Sequence, residues 1–105
     1  MGSLSKSKRC SVMREKTIER KLVLAVKIAG GIAPKFTSPG FDGMPDRLVL
    51  LPGAHMAFVE VKAPGEMPRP LQLARHRILR SMGFKVYVLD DEAQIGRILD
   101  EIRTT

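Results

Sequence analysis

Cysteine, tryptophan and tyrosine are nearly missing: one Cys, no Trp and one Tyr in 105 residues, beside four Phe. A lone cysteine forms no internal disulfide, and a zinc site built on several thiolates is out of reach. The shortage of aromatics argues against a stacking platform for single-stranded bases. Long apolar runs are missing too. The longest, Leu22–Val26 and Leu48–Leu51, fall far short of the roughly 20 residues of a membrane span. No apolar signal-peptide core follows Met1, so the expectation is no membrane association and a reducing cytoplasm.

What is present reads as an ordinary globular chain, 44% apolar and 28% charged. At this length it forms one domain able to bury about two-thirds of its unfolded surface. The net charge of +7 is placed unevenly. Residues 1–35 hold nine basic side chains (Lys6, Lys8, Arg9, Arg14, Lys16, Arg20, Lys21, Lys27, Lys35) against two acidic ones, Glu15 and Glu19. Residues 36–105 hold nine of each sign and balance. A basic N-terminal third on a neutral body is the footprint of a polyanion binder, although a solubilising arm and a solvated helix face would carry the same charge.

Residues 1–10 are polar, Ser/Lys-rich and aperiodic, which predicts a flexible basic arm followed by a single domain over 11–105. Ser11 is placed to cap a helix over 12–29 through Ile18, Leu22, Ala25 and Ile28, which Gly30-Gly31 stops. A strand is expected at Ile32–Thr37, a loop over Ser38–Pro45, and a hairpin of Arg47–Leu51 with Met56–Ala63 around Pro52-Gly53. Pro70 suits a first helical position, and Leu71, Ala74, Ile78 and Met82 follow at helical spacing as the expected apolar face. A strand at Phe84–Leu89 and a helix facing inward through Ile95, Ile98, Leu99 and Ile102 complete the order α-β-β-β-α-β-α. An α/β sandwich with a mixed central sheet is the matching architecture.

The informative stretch is Gly43-Met44-Pro45-Asp46, thirteen further residues, then Glu60-Val61-Lys62. Strand residues two apart share a face, so Glu60 and Lys62 point together while Val59 and Val61 meet the core. A three- or four-residue turn near Pro52–His55 brings Asp46 beside Glu60 or Val61. Two carboxylates and an ammonium then converge at one end of a strand pair. On spacing alone a surface salt bridge between Glu60 and Lys62 is the competing reading.

Pro45-Asp46 … Glu60-Val61-Lys62 resembles the PD-(D/E)xK nuclease motif, and its surroundings are similar to the VRR-NUC family. The matching pieces are the Glu15/Glu19 helix, Gly30-Gly31, Lys35-Phe36, Gly43–Arg47, Leu51-Pro52-Gly53, Phe58–Gly65 and Pro70-Leu71-Gln72. The resemblance implies a restriction-endonuclease-like fold and metal-dependent phosphodiester hydrolysis. Stand-alone members of this length are similar to phage and bacterial Holliday-junction resolvases.

On that resemblance Asp46, Glu60 and the Val61 carbonyl are the expected ligands of Mg2+, with Mn2+ as a substitute. Hard oxygen donors suit magnesium, which retains several waters and needs few carboxylates. Lys62 would orient the attacking water or offset transition-state charge. Glu19 is the preferred third acid and Glu15, one turn earlier on the same face, its alternative. Gln72 matches a family glutamine that supports the site. Lys6, Lys8, Arg9, Lys35, Arg69, Arg75 and Arg77 are candidate DNA contacts; such contacts position a duplex without reading its sequence. His55 and His76 have no second ligand at metal spacing and read as non-catalytic. The expected partner is branched DNA, cut by a homodimer whose two sites match the two nicks of a junction. The alternatives are a basic DNA-binding module without catalysis and a nuclease acting on ordinary duplex or flaps.

Overall fold

The computed structural model describes residues 2–104, with side chains from Met13 to Thr104. Helix α1 runs Gly2–Ile28. It begins ten residues earlier than the spacing predicts, so Ser11 lies within it rather than capping it. The side chains of Lys6, Lys8 and Arg9 lie outside the described residues. Its end follows the glycine signal. Gly30 has φ 89°, its N–H donates to the Lys27 carbonyl at 2.9 Å, and the Gly31 N–H donates to the Val26 carbonyl at 2.9 Å. These two bonds satisfy carbonyls that the last turn leaves open. The buried stripe is Ile18, Leu22 and Val26, flanked by Ala25 and Ala29. Ile28, expected on that stripe, is exposed because Val26 and Ala29 hold the inward angles around it.

Strands β1 (Arg47–Leu51) and β2 (His55–Val61) form the expected antiparallel hairpin, paired from Arg47 with Val59 to Leu51 with His55. Its three-residue turn places Gly53 and Ala54 at positive φ. Helix α2 (Pro70–Ser81) carries the chain over to β3 (Val86–Leu89), which pairs in parallel with β2 from Phe58 with Val86 to Val61 with Leu89. The sheet is therefore mixed, with β2 central. A 3-10 turn (Glu92–Gln94), capped by Asp91 Oδ1 accepting the Ala93 N–H at 2.9 Å, leads into α3 (Ile95–Arg103).

The strand expected at Ile32–Thr37 is reduced to two isolated bridges, Ile32 with Leu50 and Lys35 with Arg47. Pro34 explains the break. Its carbonyl accepts the Leu48 N–H at 3.1 Å, but proline has no N–H to return the bond. Flanking bonds hold the segment alongside β1 all the same: Ile32 and Leu50 exchange both of theirs, and Phe36 N–H donates to the Asp46 carbonyl at 2.9 Å.

The two sheet faces carry different loads. Val49, Leu51, Ala57, Val59, Val61 and Leu89 pack against α1 and against the predicted α3 face of Ile95, Ile98, Leu99 and Ile102. The other face holds a smaller cluster of Phe58, Leu79 and Val86 under α2. Here the sequence expectation inverts. Leu71, Ile78 and Met82 are 44%, 45% and 61% exposed, while α2 buries Gln72, His76 and Leu79. The reason lies opposite them on β2. Glu60 occupies this face, and a buried carboxylate demands hydrogen-bond donors more strongly than an apolar stripe demands cover.

Candidate active site

Alternation along β2 turns Ala57, Val59 and Val61 to the α1/α3 core and leaves Phe58 and Glu60 for the α2 side. Continuing the Arg47–Val59 pairing by one step sets Asp46 opposite Glu60. Asp46 is tied down further: its Oδ1 accepts the Val61 N–H at 3.1 Å, across the end of the hairpin. Pro45 before it is fully buried, which anchors the loop that delivers the aspartate.

That loop is shaped by a glycine and an arginine. Gly43 has φ 91°, and a Cβ there would meet Leu71 Cγ at 2.8 Å and the Leu71 carbonyl oxygen at 3.1 Å. Only a residue without a side chain lets the loop lie this close on α2. Arg75 fastens it, with Nε donating to the Asp42 carbonyl at 2.8 Å and the guanidinium 3.8 Å from the Phe41 ring centroid.

Glu60 is 2% exposed and both of its oxygens are engaged from α2. Gln72 Nε2 donates to Oε2 at 3.2 Å, and His76 Nε2 lies 3.3 Å from Oε1. The Gln72 amide is oriented from its other end, where Oε1 accepts the Arg69 N–H at 2.8 Å. Burial, and then the charge of Asp46, push the Glu60 carboxyl up to about 7, against the opposing charges of Lys62 and Arg69. Burial also raises Asp46, opposed by its bond from Val61, while the Glu19 charge adds to the rise. His76 is shifted the other way, downward, by burial and by the Arg80 and Lys62 cations.

The two helix-one acids part company. Glu19 pairs with Arg47 at 3.4 Å, and Arg47 also donates to the Ala33 carbonyl at 2.7 Å. Glu15 has its carboxyl raised by burial and then by Asp46, with Lys62 opposing. Its charge is also felt at Glu60. Glu15 thus shares the field of both central carboxylates, whereas Glu19 shares that of Asp46 and is engaged by a guanidinium.

Of the predicted residues, the fold gathers Asp46, Glu60, Val61, Lys62, Glu15, Glu19 and Gln72 around one end of the hairpin, Glu19 through its pair with Arg47. Lys35, Arg69 and Arg77 are exposed, while Arg75 is partly buried and holds the loop. His76, read from sequence as non-catalytic, proves to contact the central glutamate. The signal for it was present: Gln72 and His76 stand four residues apart, one above the other on a helix face.

Among the described residues no group of three or more His, Cys, Asp and Glu side chains is close enough to enclose a metal ion by itself. The donor set is a carboxylate pair with a neighbouring backbone carbonyl. It fits a hard divalent cation that keeps most of its waters. Glu60, raised by burial and then by the charge of Asp46, is also a place where an added positive charge relieves repulsion. No described helix is long and apolar enough to cross a membrane.

No family model matches the chain. It is 53% identical over 81 residues to "Putative nuclease p44" of Acyrthosiphon pisum secondary endosymbiont phage 1, an alignment covering 77% of this chain and 87% of that protein. A solved structure described as a VRR_NUC domain superposes with a TM-score of 0.78 at 30% identity, over 83% of this chain and 95% of the other. The mixed sheet between helical layers is accordingly the restriction-endonuclease-like arrangement that the sequence resemblance implied.

Proposed function

We propose that this chain, which belongs to the VRR-NUC family of nucleases, is a divalent-metal-dependent DNA endonuclease that cuts branched DNA, four-way junctions above all, as a homodimer. The observation that carries the reading is the meeting of Asp46 and Glu60 across the hairpin register, with Lys62 just past the end of β2.

Asp46, Glu60 and the Val61 carbonyl are the groups that would hold Mg2+ or Mn2+. Such a cation supplies Lewis-acid polarisation of the phosphoryl oxygen and a lowered pKa for water. The protein's share is positional. The Val61 N–H fixes one Asp46 oxygen and Gln72 fixes one Glu60 oxygen, so both carboxylates are pre-aimed. Lys62 brings an ammonium that orients the attacking water and offsets charge on the phosphoryl group. Glu15 adds a third negative charge to the field of the pair. Lys35, Arg69 and Arg77, with the basic first helix, run along the phosphate backbone. A sequence with a single cysteine forms no internal disulfide, and this suits a cytoplasmic setting.

Two nicks placed symmetrically on a junction call for two active sites, and this chain supplies one. The exposed apolar stripe Leu71–Ile78–Met82 on α2 supports a second copy as the source of the other.

The deciding experiment offers linear, flapped, three-way and four-way DNA to the purified chain with magnesium and with chelator. Paired, magnesium-dependent nicks in the four-way substrate are expected. Equal cutting of linear duplex removes the junction preference, and binding without any cutting leaves only a DNA-binding module.

A further inference from the structure

Helix α2 turns a polar face onto the sheet, and one of its members has no task in the function proposed above. His76 is fully buried, and its Nε2 makes its one side-chain hydrogen bond, to Glu60 Oε1 at 3.3 Å. Its other nitrogen, Nδ1, is buried with no partner at all. An apolar side chain of similar size would fill this space without stranding a nitrogen, so packing alone gives no reason for histidine here. The bond to Glu60 does.

The nature of the donor matters as much as its place. A lysine or arginine would hold Glu60 just as firmly, but it would cancel the charge, as Arg47 does for Glu19. Around His76 the helix carries arginines at 75, 77 and 80, and it turns an imidazole inward instead. With the Gln72 amide on one oxygen and the His76 imidazole on the other, Glu60 is held from two positions four residues apart on one helix.

We propose that His76 is a positioning residue for the metal site: its Nε2–H clamps Glu60 Oε1 so that the carboxylate meets a divalent cation beside Asp46 in a fixed orientation. This rests on the reading of Glu60 as a metal ligand. Groups that orient ligands in this way typically govern metal affinity by about 10–100-fold.

The test compares His76→Gln with His76→Asn in the full chain. Both are polar and near in size, but only glutamine extends its amide nitrogen as far as Nε2. Calorimetric titration with Mn2+ in the absence of DNA should show binding within about threefold of wild type for His76→Gln and weakened about tenfold or more for His76→Asn. The metal concentration giving half-maximal cleavage should move in parallel, with turnover at saturating metal largely restored. Equal Mn2+ affinity in the two variants, or wild-type affinity in His76→Asn, overturns the proposal. Glu60→Gln run alongside separates the layers. If it binds Mn2+ and cleaves like wild type, the ligand reading itself fails; if it is inactive while His76→Asn titrates normally, only the role of His76 falls.

Discussion

Asp46 Oδ1 accepts the Val61 amide hydrogen at 3.1 Å. The bond joins the residue that precedes β1 to the residue standing between Glu60 and Lys62. Two motif halves separated by thirteen residues become one unit through a single backbone donor. Neither half needs a loop to close over it, because the hairpin register already sets Asp46 opposite Glu60.

Glu60→Gln tests that unit in two ways. It keeps the shape while removing a charge, so cleavage falls by on the order of a hundredfold or more while DNA binding persists. It also changes the response to pH. A carboxyl raised to about 7 by burial keeps its proton longer in the folded chain than in the unfolded one, where 4.5 is the ordinary value. Metal-free stability therefore falls as pH climbs from about 4.5 to about 7 and levels off above, by up to about 3 kcal/mol from Glu60. Asp46 and Glu15, also raised, act in the same direction. His76, lowered, acts oppositely, below its ordinary value of 6.5. Urea midpoints in chelator across this range should decline less in Glu60→Gln than in wild type. Parallel profiles for the two chains would count against a buried, proton-holding Glu60.

Glu15 and Glu19 are forecast to fail differently. Glu15→Gln removes a charge from the field around Asp46, Glu60 and Lys62, so it weakens cleavage and metal response while leaving the melting temperature near wild type or above it. Glu19→Gln frees Arg47, whose Nε is already buried without a partner. That variant loses on the order of 1 kcal/mol of stability and keeps most of its metal response. Kinetics and thermal melts on both variants check this, and the reverse pattern would return the third-acid role to Glu19.

How far the sequence reveals all this depends on what each signal encodes. The Gly30-Gly31 stop, the Pro52–Ala54 turn and the α3 stripe are local, and backbone sterics or a clean helical period fix them without help. The motif halves were legible because strand alternation and turn length together set a register. Two readings failed where tertiary demand outweighs local pattern. Pro34 looks harmless inside a short apolar run until its missing N–H is needed by β1. The stripe Leu71–Ile78–Met82 looks like a core face until Glu60 arrives on the sheet opposite and draws Gln72 and His76 inward. Periodicity counts apolar residues; it does not register a buried carboxylate contributed by a different element.

The basic segment ahead of the site carries a forecast of its own. All the net charge lies in residues 1–35, and phosphate contacts release counterions in proportion to their number. Changing Lys6, Lys8 and Arg9 together to Ser should weaken DNA binding and reduce the slope of log affinity against log salt by up to about 3. A slope identical to wild type, measured by anisotropy over a salt series, would show that these three side chains touch no phosphate.

The outward stripe of α2 gives the last forecast. Leu71, Ile78 and Met82 leave apolar surface in water on the side of the helix away from Glu60. An apolar patch of this kind is costly to leave bare and fits a symmetric partner surface. Ile78 is its middle member and is about half exposed, so Ile78→Lys can send its ammonium into water with little strain on the single chain. Two such ammonium groups in a closed two-fold interface would repel each other. Sedimentation at micromolar concentration should return about twice the 11.6 kDa chain mass for wild type, and the single-chain mass for Ile78→Lys with an unchanged melting profile of the monomer fold. On a four-way junction the variant should nick one strand at a time, losing the coupled second nick while single-nick chemistry at Asp46 and Glu60 continues. A variant that sediments as a dimer and still makes paired nicks would move the interface to another face of the molecule.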